Sequence, residues 1–139
     1  MDDRIKAFLT AQHLLTLSAV DCVDAIHCGV YSASCYYVFC SAQLSLCFKS
    51  VPSAKHIQLA SINPDVGVVI AQDGALKFLK GVQIKAVFRD STQEEQQLYY
   101  KKFPFAKLGS GKIFSLGIYF AKYTDNQLFL QKKITYTKE

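Results

Sequence analysis

The chain has 139 residues, half of them hydrophobic and 19% charged, which excludes a disordered or fibrous protein and bounds it to one compact domain. Its net charge is +5, but the excess is scattered over small clusters such as Lys101-Lys102, Lys132-Lys133 and Lys138. No basic stripe of the kind a dedicated nucleic-acid binder needs is present, and a small anion such as a phosphate ester suits this balance as well as a polymer does.

Met1–Lys6 is mixed in charge rather than basic and then apolar, so no secretory signal is read there. The longest apolar runs fall well short of a bilayer span. Asp3–Gln12 is predicted as a helix with Ile5, Phe8 and Leu9 on one side. Leu14–Val20, Asp24–Tyr31 and Tyr36–Cys40 read as strands, the last pairing with Gln43–Lys49 across a tight Ser41-Ala42 connection. In Gln43–Lys49, Leu44, Leu46 and Phe48 alternate with Ser45, Cys47 and Lys49, the period of a half-buried strand. Ser50-Val51-Pro52-Ser53 stops that ladder, since proline has no N–H to donate. Ala54–Asn63 fits two turns of helix with Ser53 as its N-cap, and Asn63-Pro64-Asp65 closes it before an apolar strand over Val66–Ala71.

Asp73-Gly74 marks a turn, and Ala75–Lys80 is ambiguous between a strand end and a brief helix. Val82–Arg89 alternates again, with Val82, Ile84, Ala86 and Phe88 on one face. Ser91 and Glu94 have capping-box spacing at the start of a polar helix that runs to Lys102 and stops at Phe103-Pro104. Leu108–Lys112, holding Gly109 and Gly111, is predicted as loop. Ile113–Tyr123 and Leu128–Thr137 make a final hairpin through Asp125-Asn126. Six or seven strands with three helices, two of them short, indicate a mainly β, antiparallel barrel over residues 1–139.

One stretch carries a functional signal. Between a strand and a helix start, Lys49, Ser50, Ser53, Lys55 and His56 bring together hydroxyls, two cations and a ring N–H. Free helix N–H groups and the positive dipole end add to them, and such a set seats a phosphate. Taken alone, the same residues also describe an ordinary solvated turn with a capping serine.

An alternating strand, a Ser, a short gap, a basic residue and a helix ending near Asn-Pro resembles the phosphate-binding region of flavin-binding split barrels. These form the pyridoxamine-phosphate-oxidase-like superfamily. Lys80–Lys85, Phe103-Pro104-Phe105-Ala106 and Lys122-Tyr123-Thr124-Asp125-Asn126 look like a bacterial branch of it. The resemblance implies a six- to seven-stranded antiparallel split β-barrel that binds FMN at the interface of a homodimer. It implies that Ser50, Ser53, Lys55 and His56 hold the flavin phosphate and that the Phe48-Lys49 backbone, with that of Tyr36–Phe39, flanks the ring. Gln83 would reach the ring, often that of the opposite subunit. The implied activity is a flavin-dependent oxidoreductase acting on a small substrate that no acid–base pair here names; the alternative is a non-catalytic barrel holding flavin, haem or another phosphorylated ligand.

The five cysteines (Cys22, Cys28, Cys35, Cys40 and Cys47) lack zinc-site spacing and, without a secretory signal, read as reduced thiols in a cytoplasmic protein. No metal, nucleic-acid or membrane partner is expected. The eighteen aromatics alternate with polar residues as core residues do, which argues against a single-strand-binding platform.

Overall fold

A computed structural model describes residues 1–75, 78–127 and 133–139. Helix α1 (Asp3–Ala11) is capped by the Asp2 carboxylate, which accepts from the Arg4 N–H at 2.8 Å, and it buries Ile5, Phe8 and Leu9 as the spacing predicts. Strands β1 (Leu14–Cys22), β2 (Cys28–Cys40), β3 (Ser45–Ser50), β4 (Asp65–Gln72), β5 (Lys80–Asp90), β6 (Lys112–Asp125) and β7 (Lys133–Thr137) follow, with α2 (Lys55–Ile62) after β3 and α3 (Gln93–Lys102) after β5. A short 3₁₀ turn spans Pro104–Leu108, ahead of β6. All pairings are antiparallel, in the order β3-β2-β1-β4-β5-β6-β7, and an additional β3–β6 pairing closes the ring. This is a split β-barrel: closure leaves few free edges, most inward apolar residues share one core, and Val38, Cys40, Cys47, Tyr99 and Ile113 form a second buried cluster.

Two strands change partners along their length. Strand β2 pairs with β1 from Cys28 to Tyr36, then with β3 from Tyr37 to Cys40. Strand β6 pairs with β3 over Lys112–Gly117 and with β7 over Phe120–Thr124, while β5 runs along its other side. At the β2 exchange Tyr37 is fully buried and donates its hydroxyl to the Leu9 carbonyl at 2.6 Å. The Lys102 ammonium donates there to the carbonyls of Tyr37 (3.1 Å) and Gln12 (3.0 Å), so the backbone released from the ladder is still satisfied.

The separate strands expected over Asp24–Tyr31 and Tyr36–Cys40 are thus one long strand, and residues 23–27 form the hairpin end before it. Helix α2 is capped by Ala54 rather than Ser53, with no side-chain hydrogen bond. The capping box of α3 is one residue later than expected, at Thr92 and Glu95. Most of the expected strand start at Leu128 lies outside the described residues. Cys22 and Cys28 form a disulfide, which corrects the reading of all five cysteines as thiols; Cys35, Cys40 and Cys47 are free.

The register of α3 has an electrostatic cause. Glu95 is completely buried. Its carboxylate accepts from Arg89 at 2.8 and 3.1 Å, from the Thr92 N–H at 2.9 Å, and from the Ser45 hydroxyl. A carboxylate so placed joins β3, β5 and α3, and leaving it unpaired would be costly. Burial by itself raises its pKa, but the hydrogen bonds from Arg89, Ser45 and Thr92 outweigh that and hold it at about 2.

With the folded-state pKa of Glu95 depressed, its stabilisation is complete above the ordinary value of 4.5 and is lost as pH falls toward about 2. Glu95→Gln is expected to cost roughly 3 kcal/mol at pH 7 in urea unfolding and to flatten the acid limb between those pH values; an unchanged acid limb would assign that limb to other groups. Gly111 sits at φ +108°, and a Cβ there would come within 2.9 Å of the Ser50 carbonyl oxygen. Gly111→Ala should therefore destabilise the fold by about 1–3 kcal/mol by thermal unfolding; a neutral result would mean that the end of β3 yields freely.

Candidate functional site

Because the β2–β3 pairing ends at Tyr37 opposite Phe48, no described strand pairs with Lys49 and Ser50 on that side, and α2 lies over the opening with Ile57 and Ala60 buried beneath it. Three side chains converge there. The His56 Nε2 lies 3.1 Å from the Ser50 Oγ and 3.9 Å from the Cys35 Sγ. The Phe48 ring stands 6.4 Å from the imidazole, centroid to centroid, as a wall of the core. Each residue arrives from a different element: Ser50 ends β3, Cys35 precedes the exchange in β2, and His56 is in the first turn of α2.

The cleft is built from neutral groups. Burial pulls the His56 imidazole below its ordinary value and pushes the Cys35 thiol up to about 11, so neither a resident imidazolium nor a thiolate is favoured near pH 7. No side-chain hydrogen bond caps α2, although the Ile57 N–H already bonds the Ala54 carbonyl at 3.1 Å; the positive end of the helix dipole favours an anion there. The arrangement suits hydrogen-bonding an anion better than it suits nucleophilic attack.

Lys55 supplies the nearby positive charge, but its ammonium is engaged. It sits 3.1 Å from the Asp21 carboxylate and 4.8 Å from the centre of the Tyr31 ring, both on the β1–β2 hairpin. Half-exposed pairs of this kind are weak, so the ammonium can exchange one anionic partner for another. Ser53 is exposed in the turn before the helix.

Lys49 does not join this group, which corrects its inclusion in one seat with Ser50. Adjacent strand residues face opposite ways, and the Lys49 ammonium donates to the carbonyls of Ala106 and, at 3.1 Å, Gly109, holding the 3₁₀ turn. Phe48 is fully buried, and its backbone lies between Tyr37 on one side and Phe114 on the other, so it presents no free ladder edge to a ligand.

Gln83 is exposed on the outer face of the sheet, level with Val69 on β4 and Lys122 on β6. It stands between two shallow depressions of about 240 and 320 Å³. Within one chain, β4 and β1 lie between its strand and β2, and β6 lies between its strand and β3. The sequence reading missed Cys35, Asp21 and Tyr31. A period-2 count would have put Cys35 on the inward face with Tyr37, whereas the hairpin register that brings Asp21 and Tyr31 to Lys55 has no local signal.

No protein-family model matches the chain. Among solved structures, it is similar to a FAD-binding protein from Mesorhizobium loti (18% identity, TM-score 0.65, 85% of this chain and 89% of that one). It is also similar to a haem-binding protein from Mycobacterium smegmatis (11%, TM-score 0.73, 99% and 58%) and to a candidate pyridoxamine 5'-phosphate oxidase from Listeria innocua (15%, TM-score 0.67, 87% and 95%). At these identities the shared property is the split-barrel fold. Closer in sequence are UPF0306 proteins from Yersinia pseudotuberculosis, at 33% identity over 96% of this chain and 91% of theirs. A UPF0306 protein from Campylobacter jejuni is 39% identical over the full length of both chains, and the chain therefore belongs to the UPF0306 family.

Proposed function

We propose that the cleft between β2, β3 and α2 is the phosphate end of an FMN site, and that the protein is a flavin-dependent oxidoreductase acting on a small substrate. The observation that carries this reading is the convergence of the Ser50 hydroxyl and the His56 ring nitrogen beside an uncapped helix start, with Lys55 within reach. Ser50, Ser53 and His56 donate hydrogen bonds to the phosphate, and Lys55 leaves Asp21 to supply charge. Hydrogen bonds to a charged group contribute roughly 1.5–3 kcal/mol each, enough for micromolar affinity when combined with ring burial. Lysine offers no bidentate fork, so the hydroxyls and helix N–H groups set the geometry.

The reading includes a homodimer in which Gln83 of one copy meets the ring held by the other. The outer sheet face supports such a contact. Thr16, Ser18, Ser32, Ser34 and Gly67 make a flat patch of small side chains, tied crosswise by Ser18–Ser32 at 2.8 Å and Thr16–Ser34 at 3.4 Å, beside the exposed Val69. Small residues let two sheets approach closely. A bound flavin supplies hydride or two-electron chemistry; the chain binds, orients and shields it.

The neutral state of His56 and Cys35 favours a second reading, a barrel that holds its ligand without turning it over. Oxidation of a reduced nicotinamide by the FMN-loaded protein separates the two.

Titration with FMN, with riboflavin as the ligand lacking phosphate, is expected to give strong flavin quenching by the first and weak quenching by the second. Lys55→Glu should weaken FMN binding by roughly tenfold or more through like-charge repulsion, leaving the riboflavin response and the melting temperature in place; equal affinity for both ligands would remove the phosphate site. Light scattering should report a dimer of about 31 kDa, twice the 15.6 kDa chain, and Gln83→Ala should alter the bound flavin's spectrum more than its affinity. A monomer that still binds FMN would exclude the two-chain site.

A further inference from the structure

The hairpin joining β1 to β2 ends in a covalent clasp. Cys22 and Cys28 are direct cross-strand partners with Cα atoms 4.0 Å apart, joined as a disulfide. Beyond them the Asp24 carboxylate accepts from the N–H groups of Ile26 and His27, both at 2.8 Å, and from the His27 ring. Both cysteines are exposed, whereas Cys40 and Cys47 are buried and Cys35 is half-buried. Exposed disulfides belong to the exchangeable class, since an attacking thiolate can reach the sulfur. One residue inside the clasp, Asp21 holds the Lys55 ammonium, which also lies over Tyr31 on the opposite strand. The end of the hairpin is thereby tied to the first turn of α2.

The geometry points to a thiol–disulfide exchange site at Cys22–Cys28 that takes electrons from a dithiol reductant, its oxidised state clamping the part of the hairpin that holds Lys55. A reductant thiolate attacks one Sγ and the S–S bond breaks. The other Sγ leaves with the bonding pair and takes up a proton. The reductant's second thiol, deprotonated, then attacks its own sulfur in the mixed disulfide and releases the remaining cysteine, which is protonated in turn. Two electrons and two protons pass to the protein, and the reductant leaves as a disulfide. Reoxidation by a disulfide oxidant such as oxidised dithiothreitol runs the exchange in reverse: the oxidant's S–S bond breaks as a mixed disulfide forms on one cysteine, and the other cysteine's thiolate, kept opposite by the register, displaces the oxidant as its dithiol. Without the cross-link the last pairs of the hairpin fray, and the exposed Asp21–Lys55 pair does not hold them. Any consequence for anion binding rests on the phosphate-site reading; the exchange chemistry does not.

The test equilibrates the folded protein in mixtures of reduced and oxidised dithiothreitol, quenches in acid, alkylates after unfolding and counts thiols by intact mass. Three labelled thiols are expected at the oxidising end and all five at the reducing end, reversibly. Acylation of Lys55, read by peptide mass, should rise about two- to fivefold on reduction, the range set by the loss of one exposed ion pair. The double variant Cys22→Ser/Cys28→Ser should show three thiols at every ratio and the reduced-state reactivity of Lys55. Five thiols at every ratio, or reduction only after unfolding, would overturn the exchange site. Equal Lys55 reactivity in both states would overturn the clamp. No flavin is present in this experiment, so failure of the FMN reading leaves both outcomes interpretable.

Discussion

Strand β2 cannot serve β1 and β3 equally, and its change of partner between Tyr36 and Tyr37 organises one side of the molecule. Before that point its backbone completes the β1 ladder; after it, the β3 ladder. A strand that switches neighbours leaves a gap, and the gap is filled by a helix with its first turn at the rim. Cys35, Ser50 and His56 come from three separate elements and meet only because of this exchange. Tyr37 and Lys102 secure it, one through a buried hydroxyl and the other through two carbonyl contacts.

A second constraint is a buried charge. Glu95 is stabilised by Arg89 and by hydroxyl and N–H donors from β3 and the helix cap, so the end of β5, the start of β3 and α3 are held in one arrangement. A well-packed apolar core is often as stable as a buried ion pair, but an ion pair tolerates fewer alternative registers. Lys49 is also drawn away from the cleft. Strand alternation had already separated it from Ser50, and the carbonyl end of the 3₁₀ turn supplies partners for its ammonium.

These two anchors leave the cleft itself lightly charged. Its histidine and cysteine are held neutral by burial, and its lysine is shared with the hairpin. In the proposed site an anion would compete with Asp21 for one ammonium at a helix start that no side chain caps. The β1–β2 hairpin is therefore part of the electrostatics of the cleft, although it lies in an earlier stretch of sequence. An exposed disulfide at the end of that hairpin places a redox-sensitive bond one residue from the competing carboxylate.

Much of the barrel was legible in the chain because local periodicity reports directly on burial. Ile5, Phe8 and Leu9 mark the buried face of α1, and Val82, Ile84 and Ala86 mark the inward face of β5. Phe103-Pro104 ends α3 because proline cannot continue a helix. Other features had no local determinant. Ser32 and Ser34 interrupt the apolar pattern of β2, yet the strand continues through them because β1 pairs with it residue by residue. Ser91 with Glu94 and Thr92 with Glu95 offer the same capping spacing, and the pairing of Glu95 with half-buried Arg89 goes with the second. The sequence by itself determined the strand and helix inventory and the hydroxyl-rich turn before α2, since those rest on neighbours in the chain. The tertiary structure decided which strand β2 pairs with, that Cys22 meets Cys28, and where Lys49 and Lys55 place their charge, because long side chains and strand registers take their partners from distant segments.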